Sequence, residues 1–257
     1  MTTILIVEGN TPDLVVKGHS GSYGFLRAFA DFAPEVELRL VSPYAADLSS
    51  AQLGGVDGVI FTGAGTPFGV DAPEAAPLRA AMELVFTTGL PVWGSCNGMQ
   101  LGAYVLGGTV GDCPNGREIG VAQNLQITKA GQGHPMMEGR ATGFSVPCIH
   151  RHEVTSLGPD TVLMAFNAHT QIQTIACQSG TVDFWGAQYH PELSLADIGV
   201  YAAGDAFGDN DTLLRDLQTG DSDAAAAARL GTDPAQLAAR TLELQNWLGH
   251  VRRKAAV

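Results

Sequence analysis

Pro91-Val92-Trp93-Gly94-Ser95-Cys96-Asn97-Gly98-Met99-Gln100 is the stretch on which the reading turns. A short apolar run, typical of a strand buried on both faces, passes into Gly-x-Cys-x-Gly. Helical spacing follows from Asn97 to Leu106. A strand that turns sharply into a helix presents the residue at the turn at the carboxyl end of the sheet, where open α/β sheets bind ligands. The flanking glycines relieve crowding around a strained apex. The helix N-terminus beneath favours a thiolate over a thiol, and the Asn97 N–H points to where an oxyanion would form. A tight turn around a buried structural cysteine has the same spelling, so a catalytic reading needs a base nearby.

Working outward, Ile4–Val7 and Asp57–Thr62 read as further buried strands. Val36–Val41 alternates apolar and charged residues like an outer strand. Ser22–Ala33 and Glu74–Thr88 have helical spacing. This order predicts a mostly parallel, doubly wound sheet with helices on both faces. From Ile119 the pattern changes. Ile119–Thr128, Gly143–Cys148, Thr161–Phe166, Gln171–Cys177 and Val182–Tyr189 follow one another with turns between them, which predicts a small antiparallel strand group. Leu193–Ala206 returns to helix. Residues 205–223, with six aspartates, read as a polar loop. Thr232-Asp233-Pro234 opens a predicted terminal helix running to Val251. The expected organisation is one domain over 1–200, with an acidic loop and helical extension over 201–257 packed on it.

A thiol nucleophile needs a group that takes its proton and returns one to the leaving amine. Of the seven histidines, His190 stands at the end of a buried strand and is followed by Pro191 and Glu192. Residues i and i+2 of an extended backbone share a side. Glu192 can therefore fix the imidazole tautomer and stabilise the imidazolium. Alone, His190 is equally a strand-end residue and Glu192 a helix N-terminal charge. The triad requires both beside Cys96.

Composition narrows the alternatives. Of 257 residues, 45% are hydrophobic and 16% charged, enough apolar material for a substantial core. The formal net charge of −12 repels phosphate backbones and anionic lipid, so neither nucleic acid nor membrane is an expected partner. No apolar run approaches the roughly 20 residues that span a bilayer. Met1–Glu8 reads as a core strand rather than a signal peptide. A cytoplasmic location with free thiols is expected. Cys96, Cys113, Cys148 and Cys177 match no zinc spacing, and neither metal nor cofactor is expected.

With these residues in place, the chain resembles the class I (triad type) glutamine amidotransferase domains, most of all the glutaminase domain of GMP synthetase. The resemblance covers roughly residues 55–195. It rests on Val59–Gly65, on Gly94–Gln100, on Arg117-Glu118-Ile119-Gly120, on His150–Val154 and on Gly186–Glu192, in that order. It implies a flavodoxin-like fold and a γ-glutamyl thioester on Cys96, with His190 as proton shuttle and Glu192 as its orienter. It further implies backbone amides of Gly63, Ala64 and Asn97 around the oxyanion, and Gln100, His150 and Arg151 about the substrate, the last two mainly through backbone. There are departures. Gly63-Ala64-Gly65 stands where the family commonly has two adjacent glycines and a proline, and Asn97 replaces a common aromatic residue. The long segment Gly9–Ser22, including Lys17 and His19, is expected to form a lid or specificity loop.

About 65 residues follow Glu192, with no phosphate-binding Gly-x-x-x-x-Gly-Lys-Ser/Thr loop. Two enzymatic readings follow: a hydrolase of glutamine or another γ-glutamyl amide, or a glutaminase subunit delivering ammonia to a separate synthetase. A non-catalytic binding or regulatory module on the same scaffold is the third.

Overall fold

The computed structural model describes residues 1–203 and 210–256. Strand β1 (Thr3–Val7) leads into a short helix α1 (Pro12–Val16) and then α2 (Ser22–Phe32). Strands β2 (Glu37–Val41) and β3 (Gly58–Phe61) follow, then α3 (Ala76–Phe86), β4 (Val92–Ser95) and α4 (Asn97–Val105). The second half supplies β5 (Thr109–Asp112), β6 (Glu118–Ile127), the single turn α5 (Lys129–Gln132), β7 (Phe144–His150), β8 (His152–Ser156), β9 (Thr161–Phe166), β10 (Thr174–Ser179) and β11 (Val182–Ala187). Helices α6 (Leu195–Ala202), α7 (Asp211–Thr219), α8 (Ala224–Arg229), α9 (Pro234–Ala238) and α10 (Leu242–Ala255) complete the chain.

The main sheet has nine strands in the order β2-β1-β3-β4-β11-β10-β9-β6-β7. The first five run parallel. The expected antiparallel strands are present and continue this sheet. The small separate sheet is β5 with β8, which the sequence reading did not anticipate. Residues 152–154 were read there only as part of a motif, and Thr109–Asp112 is short and mostly exposed.

Strand alternation explains the two-sided burial. Ile4 and Ile6 join one apolar layer with Phe25, Phe29, Trp93 and Trp247. Leu5 and Val7 join the other with Leu78, Met82, Val85 and Met99. A third cluster packs α6–α9 on β6 and β7 through Val121, Ile149, Leu195, Leu217 and Leu230. Among the described residues no helix is long and apolar enough to cross a membrane.

Two expectations for the C-terminal part are corrected. The segment read as a polar loop contains helix α7, and two of its aspartates, Asp221 and Asp223, serve helix ends. The Asp221 carboxylate accepts from the Leu195 and Ala196 amides at 3.2 and 2.9 Å, and Asp223 caps α8. Asp216 pairs with Arg229 at 2.6 Å. Counting charges hid an amphipathic helix with Leu213, Leu214 and Leu217 on the covered side. The predicted terminal helix begins as expected, with the Asp233 side chain accepting from Gln236 N, but ends at Ala238 and restarts at Leu242. The break leaves the Arg240 carbonyl to Arg140, 3.2 Å away. Residues 204–209, the predicted end of one helix and start of the loop, lie outside the described residues.

Helix α10 bears directly on the segment that follows β11. Glu243 is fully buried and pairs with the equally inaccessible Arg140 at 2.8 Å. It also accepts the hydroxyl of Tyr189 at 2.9 Å. Removing one partner of such a pair strands a buried charge. Arg140→Ala is expected to destabilise the protein by about 3–5 kcal/mol in urea unfolding, and a loss below about 1 kcal/mol would count against the pair.

Candidate active site

Cys96 occupies the junction of β4 and α4 at φ 49 and ψ −106. A side chain there costs on the order of 1–3 kcal/mol and persists only where its surroundings impose it. The Cys96 amide donates to the Ala187 carbonyl of β11 at 2.7 Å, and its carbonyl accepts the Gln100 amide at 2.9 Å. The turn requires glycine at 98, because a Cβ there would lie 2.2 Å from the Phe61 carbonyl oxygen. The Asn97 N–H belongs to the first turn of α4, whose amides have no acceptor within the helix.

His190 lies three residues beyond β11, which ends at Ala187 rather than at Tyr189. Its backbone amide is tied to the Pro147 carbonyl at 2.9 Å. Nδ1 meets Glu192 Oε1 at 2.8 Å. A carboxylate only accepts, so Nδ1 carries the hydrogen. Nε2 is buried and makes no hydrogen bond within the described residues, which leaves it to face the cysteine side. A Cβ built on Gly63 would sit 2.7 Å from His190 Cε1 and 3.6 Å from Cys96 Cβ. Ring and cysteine therefore flank one point, and only glycine fits between them.

Glu192 is held at both oxygens. Oε2 accepts the Ser95 hydroxyl at 3.0 Å, and Ser95 Oγ accepts from Trp93 Nε1 at 2.9 Å. The indole can only donate, so the serine proton is directed to Glu192. Burial is the largest single influence and opposes the charged form of His190, but the Glu192 charge, the Cys96 sulfur and the Glu192 hydrogen bond together outweigh it. The imidazole pKa is raised to about 10. Gln188 Nε2 approaches the Cys96 sulfur at 3.5 Å, and the Ile149 carbonyl lies 3.7 Å from it.

Cys96, His190 and Glu192 line a cavity of about 220 Å³ together with Gly63, Ala64 and Gly65. The remaining wall comes from Asn10, Leu14, His19 and Gly21 of the segment after β1, and from Ile149, Leu193 and Tyr201. That segment is organised by Glu8. Its buried carboxylate accepts from the Asn10, Gly21 and Ser22 amides and from the Ser20 and Ser22 hydroxyls. Lys17 is not among the lining residues.

The side chains of Gln100, His150 and Arg151 lie elsewhere. Gln100 Nε2 donates to the His152 carbonyl at 2.7 Å and to Gln188 Oε1 at 3.2 Å. The Arg151 guanidinium donates to the Thr66 carbonyl. The His150 ring joins Glu118 at 2.9 Å and Cys113 at 3.2 Å. Sequence reasoning missed Ser95, Gln188 and Tyr201. The first two lie inside the motifs that were read, and only their neighbours in space give them a role. No sequence signal marks Tyr201.

Comparison with known proteins gives the family and the fold. The model of the family "Glutamine amidotransferase class-I" matches residues 18–204. A γ-glutamyl-L-1-hydroxyisopropylamide hydrolase of Pseudomonas sp is 32% identical over 74% of this chain and 68% of its own length. The glutamine-hydrolysing GMP synthase of Thiobacillus denitrificans is 34% identical over 53% of this chain, which spans about a quarter of that protein (26%). A solved glutamine amidotransferase from Thermotoga maritima superposes with a TM-score of 0.69 over 97% of both chains at 16% identity, a likeness of fold.

Two outcomes follow from the site. With its pKa raised to about 10, His190 contributes stability that is complete below about pH 6.5, the ordinary histidine value, and is lost as pH rises through about 10. NMR titration should find the ring protonated at pH 8, and neutral there in Glu192→Gln. Ser95→Ala strips one donor from Glu192 and leaves the Trp93 N–H without its acceptor. A destabilisation of about 1–3 kcal/mol is expected in denaturant unfolding.

Proposed function

This chain belongs to the class-I glutamine amidotransferase family, and from that premise we propose that it hydrolyses the γ-amide of a γ-glutamyl compound, glutamine or an N-substituted amide, through Cys96, His190 and Glu192. The observation that carries the reading is the convergence at one cavity of a strained cysteine, an imidazole with one buried and uncommitted nitrogen, and a carboxylate fixed at both oxygens.

The steps follow from these positions. The Cys96 thiolate attacks the γ-carboxamide carbon. The oxyanion is held by the Asn97 N–H and by amides of the Gly63–Ala64 loop. His190, protonated and steadied by Glu192, gives its Nε2 proton to the amide nitrogen, the C–N bond breaks and the amine or ammonia leaves. A γ-glutamyl thioester remains on Cys96. Water then enters, His190 takes its proton, and glutamate is released with the thiolate restored. Of the four free cysteines, Cys96 alone lines the cavity. Burial pushes the thiols of Cys113, Cys148 and Cys177 up and keeps them protonated. A cytoplasmic location is proposed, where cysteines commonly remain free thiols.

The glutamyl end is proposed to lie near Ala64 and Asn10. Gln100, His150 and Arg151 are proposed to shape it mainly through backbone and neighbours, since their side chains are engaged elsewhere. The likeness to the Pseudomonas hydrolase over two thirds of that protein favours the free-standing hydrolase. The likeness to a quarter of a GMP synthase favours a second reading, a glutaminase that hands ammonia to a separate synthetase.

Purified protein is expected to release glutamate from a γ-glutamyl amide in a coupled dehydrogenase assay. Cys96→Ala should lower kcat by about 10³-fold or more with its fold retained by circular dichroism. Turnover that survives in Cys96→Ala contradicts the mechanism, and turnover that needs an added synthetase selects the second reading.

A further inference from the structure

We propose that the recess beside His190 is a subsite for the N-substituent of the scissile amide, built by Leu14, Leu193 and Tyr201 for a small uncharged alkyl group; this rests on the γ-glutamyl amide reading above. The position of the general acid decides the side. The leaving nitrogen must receive its proton from His190 Nε2, so whatever that nitrogen carries projects toward the wall flanking the imidazole. The cavity's apolar side chains include Leu14, Leu193 and Tyr201, beside the polar Asn10 and His19. Leu193 follows the triad carboxylate directly and packs against the first turn of α2, where a Cβ at Gly24 would lie 2.6 Å from Leu193 Cδ2 and 2.9 Å from Glu192 Cγ. Tyr201 of α6 lines the same cavity. Its hydroxyl donates to the Ser20 carbonyl at 3.3 Å, which leaves the ring as the surface that a ligand meets. Burial and then the Glu192 charge push the phenol up to about 12, so the wall carries no charge there. Leu14 of α1 completes the lining from the segment after β1.

Ammonia, the leaving group from glutamine, is small and polar and gains nothing from such a wall. An alkyl group gains the free energy of leaving water. A cationic amine is disfavoured, although the chain is acidic overall. Both oxygens of Glu192 are committed to His190 and Ser95. The Glu8 carboxylate accepts from five donors of its own segment. An ammonium entering the recess would have to compete with these donors for the same oxygens, and an ammonium left unpaired is costly to desolvate.

The test is kcat/KM of the full chain for glutamine and for the γ-glutamyl amides of methylamine, ethylamine and propylamine, with γ-glutamylputrescine as the charged comparator. We expect a rise of roughly fourfold per methylene, the equivalent of about 0.8 kcal/mol each, and putrescine amide no better than glutamine. Leu14→Ser, at a partly exposed position, should cut the propylamide-to-glutamine ratio by about fivefold. A ratio cancels any loss of folded enzyme. A flat series, a preference for the putrescine amide, or an unchanged ratio in Leu14→Ser overturns the subsite while leaving γ-glutamyl hydrolysis standing. Failure to release an amine from every compound, glutamine included, overturns the hydrolase reading itself and the subsite with it.

Discussion

The parallel register of β4 with β11 is the constraint on which the site depends. Ser95 lies opposite Ala187, and the next amide in the chain, that of Cys96, closes on the Ala187 carbonyl at 2.7 Å. One hydrogen bond thus ends the ladder, bends the first strand into α4 and sets the cysteine level with the segment that carries His190. A slip of one residue would turn Cys96 to the opposite face of the sheet. The strain at Cys96 is sustained by the sheet beneath it, with Phe61 of β3 on one side and Ala187 of β11 on the other.

A second layer of polar contacts restrains the charged groups. Donors converge on Glu192 from two sides: the Trp93 indole through the Ser95 hydroxyl at one oxygen, and the His190 imidazole at the other. Glu8 does for the segment after β1 what Ser95 does for Glu192. It turns a stretch rich in small residues into a fixed wall, and Gly21 seats it against Thr62 and Gly63, where a Cβ would come within 2.5 Å. On the far side, Glu243 of α10 reaches the hydroxyl of Tyr189, next to His190. Helix α10, remote in sequence, thus buttresses the residue beside His190.

Much of this was legible in the sequence, because the signals were local. Buried strands announce themselves by apolar runs, and Gly94-x-Cys96-x-Gly98 by the need for space at a sharp turn. Gln100 was harder, since a polar side chain on the first helical turn can face a ligand or a carbonyl, and only the fold shows it on the His152 carbonyl. The aspartates of residues 211–223 read as solvated charge because capping is a property of neighbours in space. Asp221 caps a helix that begins 26 residues earlier in the chain. Tyr201 and Leu14 carry no motif and reach the cavity only through tertiary packing.

The central claim is that the sulfur at this turn, among four thiols, receives the acyl group. Rapid acid quench with a γ-glutamyl amide, followed by peptide mass mapping, tests it most directly. The account predicts a γ-glutamyl adduct on the peptide bearing Cys96 and on no other. An adduct on Cys113, Cys148 or Cys177, or turnover to glutamate with no adduct at Cys96, would contradict it.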